Sequence, residues 1–434
     1  ANISMTSCET INMANRIFQS NALELKPGAT TDIVDPKTGI KLTYGIPLFG
    51  AICSNLPFIA FENVPVEDEL LINQEFDRNS VNRKSDLSYF IALHLANMLR
   101  DKGYLGIITS NAWLGTSAGA AFYCNLIERY NLLQVHVSGS GRWFKNADVV
   151  TTILVLQKRD PSENRLPTTF WLWKKPLEAI SNNSDYEHTI IESSLLNEST
   201  DESIIKCSKY SNIQIEQLHN MNISYNALFH DVLWLLEIQQ VLIPLRNLFK
   251  VFRGSRRGWD ALFFPTDNNS IESEFLHPAL FNAKKLDELV AIPDRKAFSC
   301  GLDLDTLETN FKGAYKWIKK FENQKNGTGK PLPEVLAKSK EKWYEMKPNE
   351  VAEIFTMMNP DKRIFFGRFN EPTFINQRLI GLRLLDNSSD VVLYHALLNS
   401  ILMKFFIEAV GFGRGLGVLD INKDNVASCF MLNP

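Results

Sequence analysis

A side-chain amide and an aromatic ring lie within four residues of each other, directly after an apolar run. Residues 48–53 are apolar and of strand length, and Asn55-Leu56-Pro57-Phe58 follows almost at once. In an open α/β sheet, ligands bind beyond the carboxyl ends of the strands. The amide of Asn55 offers an acceptor and donors, and the ring of Phe58 offers a stacking face. The segment suits a planar nitrogenous base; the alternative is an ordinary strand end followed by an Asn-Xaa-Pro turn.

The surrounding patterns predict the elements that would position this segment. Apolar residues recur at helical spacing over 85–103, with Asp86 as a cap and Gly103 as the stop, and a buried strand follows at 105–109. A second helix near 117–130 precedes strands at 132–137 and 149–156, which have no helix between them. Strands joined by a loop pair antiparallel. The sequence therefore predicts an α/β fold whose parallel sheet ends in an antiparallel hairpin.

Residues 55–58 resemble the Asn-Pro-Pro-Tyr/Phe motif of N6-adenine DNA methyltransferases, with Leu56 in place of the first proline. The block over 86–114 also resembles that family, whose helix and strand end in Thr-Pro/Ser-Asn-x-Trp-Leu. The resemblance implies that the Asn55 side-chain oxygen and the Leu56 carbonyl accept hydrogen bonds from the target amino group. Pro57 would stiffen the turn, and Phe58 would stack on the base. We expect restoring proline at position 56 to be tolerated if the site is active, and to raise activity if the site has decayed.

The loop between the last two predicted strands carries a further match. Phe144 corresponds to the family's phenylalanine that contacts the flipped-out base. The alternative is a ring that covers the edge of the sheet. An asparagine rather than a serine at position 55 favours adenine over cytosine as the target.

The same resemblance implies S-adenosylmethionine (SAM) as the methyl donor. Asn21 and Ala22 match the family segment beside the adenine ring of SAM, although the family usually has aspartate where Asn21 stands, and Phe90 would border the same pocket. Residues 1–50 contain neither the glycine-rich loop nor the acidic residue that complete this site in the family. We therefore expect the chain to be part of a longer protein and to hold an incomplete SAM site.

Three arginines within five residues, flanked by glycines, mark the second half of the chain. Arginine is well shaped for bidentate contact with phosphate or guanine, although a solvated charge cluster is the commoner explanation. The segment resembles the start of the target-recognition domain of type II adenine methyltransferases, as does a strand-like stretch between two further arginines. The resemblance implies double-stranded DNA as a partner, contacted by Arg253, Arg256, Arg257, Arg363 and Arg368.

These patterns predict three segments. A partial SAM-dependent catalytic domain spans 1–160, a connecting segment with helices spans 161–244, and a mixed α+β target-recognition domain spans 245–434. The implied function is a site-specific DNA adenine-N6 methyltransferase of a restriction–modification system, with any nuclease domain or subunit outside these residues. Two alternatives stay open: a non-catalytic DNA-binding or specificity module, or a methyltransferase acting on cytosine N4, RNA or protein glutamine.

Composition restricts the class of protein. The chain has 434 residues, of which 45% are hydrophobic and 22% charged, as expected of a globular protein of two or three domains. It has no apolar run of membrane-spanning length and no signal pattern, so we expect no membrane partner. Six cysteines without CxxC spacing and seven histidines without HxH spacing predict no metal site and a cytoplasmic location. A net charge of −3 requires any DNA-binding surface to concentrate its basic residues locally.

Overall fold

The computed structural model describes most of the chain. The described residues are 19–34, 38–76, 85–144, 149–254, 258–266, 269–284, 286–337, 342–346, 351–360, 363–386, 390–414 and 418–434. They belong to two compact units, residues 1–217 with 225–233, and residues 218–224 with 234–434.

The first unit is built on a six-stranded mixed sheet. Its described strands are β1 (Thr30–Val34), β2 (Lys41–Gly45), β3 (Phe49–Asn55), β4 (Leu99–Ser110), β5 (Tyr130–Ser138), β6 (Thr151–Lys158), β7 (Thr168–Trp173) and β8 (Ile205–Tyr210). Its described helices are α1 (Val66–Glu75), α2 (Leu87–His94), α3 (Ser117–Arg129), α4 (Leu177–Ser181), α5 (Ser184–Leu196) and α6 (Asn212–Asn220). Strands β1 and β2 form a separate hairpin.

The strand order of this sheet is β3-β4-β6-β5-β7-β8. Strands β3 and β4 are parallel, and β6 lies between β4 and β5, antiparallel to both. The antiparallel hairpin predicted near 132–137 and 149–156 is therefore confirmed; β5 is longer than predicted, and β6 begins and ends two residues later. The predicted α/β class is confirmed as well, because helices lie between the strands of a mixed six-stranded sheet along the chain.

The helix predicted over 85–103 is shorter in the structure. It spans α2, continues as one 3-10 turn at Leu95–Met98, and gives way to strand β4 at Leu99. Gly103 is not a helix stop. A Cβ at this position would lie 2.9 Å from the carbonyl oxygen of Arg100 and 3.1 Å from that of Phe49. Glycine is required there because two backbone segments approach each other closely.

The predicted connecting segment at 161–244 also differs. Strands β7 and β8 extend the sheet of the first unit, since β7 pairs parallel with β5 and β8 pairs antiparallel with β7. The aromatic run of β7 is buried, with Phe170 and Trp171 both 0% exposed, so burial of these rings holds the strand in the core. The described residues 225–251 contain no long helix; their helical elements are 3-10 turns at Tyr225–Phe229, Gln239–Val241 and Leu245–Asn247 and one helical turn, α7 (Trp234–Glu237).

The second unit contains another six-stranded sheet, in the order β10-β15-β13-β14-β11-β12. Its described strands are β9 (Leu242–Pro244), β10 (Phe249–Arg253), β11 (Leu276–Leu280), β12 (Arg295–Phe298), β13 (Ala352–Met357), β14 (Gly367–Ile375), β15 (Leu379–Leu384), β16 (Phe412–Arg414), β17 (Val418–Asp420) and β18 (Phe430–Leu432). Its described helices after α7 are α8 (Asp260–Phe263), α9 (Leu304–Asn310), α10 (Lys312–Glu322), α11 (Leu332–Leu336), α12 (Val391–Leu398), α13 (Ile401–Val410) and α14 (Lys423–Ser428).

Within the described ranges, no single helix is both long and apolar enough to cross a membrane. Helices α12 and α13, which are bent by 62° at the break between them, meet the criteria of length and composition only as a pair.

Candidate functional site

The amide of Asn55 lies at the carboxyl end of β3, as the sequence predicts. Asn55 is the last residue of the strand and is in register with Ile108 of the parallel strand β4. The next residue stays attached to that strand, because the Leu56 N–H donates to the Ile108 carbonyl at 3.3 Å. Asn55 and Pro57 are exposed and Phe58 is half-buried, whereas Leu56 is only 4% exposed. A buried leucine therefore anchors the segment while the amide on the preceding residue faces outward.

The chain after Pro57 is fixed by the segment that begins α2. The Leu87 N–H donates to the Ile59 carbonyl at 2.8 Å, and the Phe61 N–H donates to the Ser85 carbonyl at 3.1 Å. The Asp86 carboxylate caps α2 by accepting from the Ser88 N–H at 2.9 Å. Burial raises the pKa of Asp86, and hydrogen bonds from Ser88 and Ile59 offset part of that rise. The segment carrying Asn55 is thus held on both sides.

The two acceptors that the resemblance assigns to the target are not engaged by the protein. Within the described ranges, neither the Asn55 side chain nor the Leu56 carbonyl makes a hydrogen bond. A carbonyl and an amide oxygen without partners at a strand end can accept from an amino group of a ligand.

Side-chain hydrogen bonds fix the end of the neighbouring strand β4. The Trp113 indole N–H donates to Thr152 Oγ1 at 3.0 Å, and Thr109 Oγ1 lies 3.0 Å from Ser88 Oγ. Trp113 is fully buried. These contacts join α2 to β4, and the residues after β4 to β6, next to the Asn55 segment.

The sequence leaves two roles open for Phe144, stacking on a base and covering the edge of the sheet, and its neighbour Trp143 takes the second. Phe144 is 39% exposed, whereas Trp143 is 8% exposed and packs against Trp173 with ring centroids 5.1 Å apart. Trp143 is therefore the ring that covers the sheet, a role that no motif indicated. The exposed ring of Phe144 is available for stacking.

The residues predicted to contact SAM are occupied within the protein. Asn21 Oδ1 accepts from the Leu23 N–H at 3.0 Å, and Asn21 Nδ2 donates to Asp68 Oδ1 at 2.6 Å. Ala22 begins the 3-10 turn that Asn21 caps. Phe90 is 4% exposed and packs against Phe61 and Phe76, with centroids 5.9 and 5.6 Å away. All three residues therefore have partners within the described part of the chain, and their role at the methyl donor stays a prediction.

A cavity of about 360 Å³ lies near the same segment, lined in part by Leu23, Leu25, Glu75, His94 and Asn97. His94 Nδ1 lies 2.6 Å from Glu75 Oε2, and His94 Nε2 lies 2.9 Å from the Leu25 carbonyl. The Asn97 amide donates to the other oxygen of Glu75 at 3.0 Å. These polar groups form hydrogen bonds with one another, so their role in the cavity wall is structural. In the described ranges, no three His, Cys, Asp or Glu side chains come together in a way that could hold a metal ion.

The arginines predicted to contact DNA lie in the second unit. Arg253 ends β10, is exposed, and donates from Nε to the Gln377 carbonyl at 2.7 Å. Arg363 lies over the Phe365 ring at 4.5 Å and donates to the Leu286 carbonyl. Arg368, on β14, donates to Asn370 Oδ1 at 3.2 Å. The other two predicted contacts, Arg256 and Arg257, lie outside the described residues.

Sequence analysis missed a pocket in the second unit. It has a volume of about 380 Å³ and is lined by Gly258, Trp259, Asp260, Ala261 and Gln377. Gln377 belongs to no motif, and its separation in sequence from the other four residues left no signal that could have revealed the pocket.

Comparison with known proteins gives matches of fold at low sequence identity. No known family profile matches the sequence. The type IIG restriction endonuclease BpuSI is 15% identical, with a TM-score of 0.38, over 88% of this chain and 47% of its own. The type IIL restriction-modification enzyme MmeI in complex with DNA is 13% identical, with a TM-score of 0.48, over 86% of this chain and 45% of its own.

A third similar structure covers less of the chain. The type I restriction-modification methyltransferase subunit from Streptococcus thermophilus is 17% identical, with a TM-score of 0.31, over 42% of this chain and 37% of its own. The present chain thus spans about half the length of the first two structures and less of the third.

Proposed function

We propose that the chain belongs to a site-specific DNA adenine-N6 methyltransferase of a restriction–modification system, which transfers a methyl group from SAM to a flipped-out adenine. The observation that carries this proposal is the end of β3. Its Asn55 amide is exposed, its backbone is attached to β4, and neither the amide nor the Leu56 carbonyl has a partner in the described part of the chain.

The geometry supports recognition of an exocyclic amino group. An adenine must leave the base stack before its N6 can be reached. The Asn55 side-chain oxygen and the Leu56 carbonyl would each accept one N6–H, which would turn the nitrogen lone pair toward the methyl donor. Such a step depends on positioning rather than on a covalent enzyme intermediate. Because Leu56 is buried and its N–H is bonded to β4, its carbonyl is preorganised for this role.

Two phenylalanines would hold the adenine ring. Phe58 is half-buried three residues after Asn55, and Phe144 is exposed in the loop after β5. Stacking of a base on an aromatic side chain contributes about 1–3 kcal/mol and tolerates any base. The phenylalanines would therefore favour capture of a flipped base, and Asn55 with Leu56 would select its amino group.

We further propose that the second unit binds duplex DNA through Arg253, Arg256, Arg257, Arg363 and Arg368. Arg363 and Arg368 are held by neighbouring side chains and backbone, so their guanidinium groups are partly oriented before any ligand binds. A preorganised guanidinium loses less rotamer freedom on contact with phosphate.

A non-catalytic DNA-binding module is the second candidate, because Asn21 and Phe90 are engaged inside the protein. Calorimetry with SAM tests this directly, and we expect weak binding to residues 1–434 on their own. Tight stoichiometric binding would contradict the incomplete SAM site.

Product analysis tests the proposed reaction. The chain is incubated with duplex DNA and saturating labelled SAM, and the DNA is digested to nucleosides. Label in N6-methyladenine supports the proposal, and label in N4-methylcytosine contradicts it. Sequence-selective DNA binding without any labelled product favours the non-catalytic module only where calorimetry shows that SAM is bound.

A further inference from the structure

The pocket defined above by Gly258, Trp259, Asp260, Ala261 and Gln377 is formed by two separate segments of the second unit. One is the short stretch that begins α8, and the other is the turn between β14 and β15. We name it the Gln377 pocket.

The turn that presents Gln377 is fixed by its neighbours. Asn376 is 4% exposed, its N–H donates to the Leu280 carbonyl at 3.0 Å, and its carbonyl accepts from the Leu379 N–H at 2.9 Å. The Asn376 side-chain oxygen also accepts from the Arg378 N–H at 3.0 Å. Gln377 therefore extends from a turn whose backbone cannot easily move.

The residue that follows β10 is attached to the same turn. The Gly254 N–H donates to the Leu379 carbonyl at 2.9 Å, and a Cβ on Gly254 would lie only 2.0 Å from the Asn376 carbonyl oxygen. Gly258 has a φ of 91°, a left-handed conformation that favours glycine. Gly254 thus allows the chain after β10 to pass close beside the turn, and Gly258 supplies the left-handed backbone at the start of the other segment.

The polar groups around the pocket suit the edge of a base better than a phosphate. The Gln377 amide carries an acceptor and donors, and the Asp260 carboxylate is an acceptor only. A carboxylate repels phosphate but accepts a hydrogen bond from the amino group of cytosine, while a glutamine can pair with N6 and N7 of adenine. The indole nitrogen of Trp259 is a further buried donor without a hydrogen-bond partner.

We propose that the Gln377 pocket reads a base edge in duplex DNA, with Gln377 and Asp260 as specificity-determining residues for a base that presents its exocyclic amino group in the major groove, adenine or cytosine. This inference rests on the proposed function in taking DNA as the ligand. Arg253, whose Nε donates to the Gln377 carbonyl, contacts the phosphate beside that base.

Selection from a randomised duplex library tests the inference. The chain, Gln377→Ala and Asp260→Asn are each used to select bound DNA, and the enriched sequences are compared. Gln240→Ala and Asp305→Asn serve as controls, because they make the same chemical changes at exposed positions of the second unit that do not line the pocket. We expect each pocket variant to lose about tenfold or more of the preference for adenine or cytosine at one position of the site. The controls should keep it.

The outcomes separate the two proposals. Unchanged preference in both pocket variants overturns the inference and leaves DNA binding in place. A uniform loss of affinity for all sequences, with a shallower salt dependence, assigns the pocket to phosphate and also overturns it. A wild-type chain that enriches no sequence overturns the proposed DNA-recognition function itself. Asp260→Asn is nearly isosteric, so it keeps the test valid if Gln377→Ala fails to fold.

Discussion

The two units of this protein differ in how far apart in the sequence their candidate site residues lie. In the first unit, β3 and β4 are parallel neighbours, and the candidate chemistry lies in four consecutive residues where β3 ends. In the second unit, β10 pairs with β15, although four other strands of the same sheet lie between them in the chain. Arg253 and Gln377, which meet beside the Gln377 pocket, are 124 residues apart. A contiguous motif can be recognised by its spacing, whereas a pocket assembled from distant turns cannot.

The largest expected difference between the two units is in their stability at acidic pH, because each contains a buried histidine in a different environment. In the first unit, His136 Nδ1 accepts from the Trp173 indole N–H at 3.1 Å, so its proton is on Nε2, which lies 3.1 Å from Gln134 Oε1. Burial lowers the pKa of His136 to about 3. In the second unit, burial also lowers the pKa of His395, although a hydrogen bond to the Phe366 carbonyl offsets part of the effect.

Acidification should therefore destabilise the first unit strongly. The unfolded chain takes up a proton on His136 near pH 6.5, whereas the folded chain resists protonation to about pH 3. Stability is thus complete above about pH 6.5 and falls as the pH decreases toward 3, by on the order of 4 kcal/mol. Denaturant unfolding of the wild type and His136→Phe at several pH values measures this. A variant that keeps the full acid sensitivity of the wild type would assign the effect to other groups.

Asn55→Ala, introduced into the intact enzyme, should lose about 100-fold or more of the methylation rate, because the acceptor that orients the target amino group is removed. Asn55 is exposed, so the fold and most of the DNA affinity should remain. The measurement is the initial rate of methyl transfer beside a duplex-binding titration. Asn63→Ala, another exposed asparagine of the first unit, is the matched control. Equal rates in the two variants would remove the basis of the proposed function.

Leu56→Pro should destabilise the first unit, which reverses the expectation from the family motif. Proline has no N–H to donate to Ile108, and the change removes a side chain that is only 4% exposed. An unpaired buried carbonyl costs about 1–3 kcal/mol. The midpoint of denaturant unfolding measures the loss, with Leu56→Met as the control that keeps both the N–H and the volume. A variant as stable as the wild type would show that Leu56 can be replaced by the family residue.

Arg253→Ala tests the second unit and should have the smallest effect. If Arg253 contacts a phosphate, its loss should lower the slope of log affinity against log salt by about 0.9. Arg246→Ala removes the same charge from another exposed position of the second unit and should leave the slope unchanged. Equal slopes for the wild type and Arg253→Ala would return Arg253 to a structural role at the turn that carries Gln377.

Local patterns were enough to predict the α/β class, the antiparallel hairpin of β5 and β6, and the place of Asn55 at a strand end. Each of these predictions depends on apolar periodicity and turn residues over a few positions, and such local patterns are independent of tertiary contacts. The same patterns placed the end of α2 too late, because Gly103 can be read as a helix stop until the approach of the Phe49 and Arg100 carbonyls is seen.

Tertiary structure decided what each side chain is free to do. Trp143 and Phe144 are adjacent aromatic residues, yet only packing against Trp173 buries the first and leaves the second exposed. Asn21 and Asn55 carry the same amide, but Asp68 and the Leu23 N–H engage only Asn21. Burial and hydrogen bonding depend on partners brought together from distant parts of the chain, so residue type and spacing alone cannot determine them.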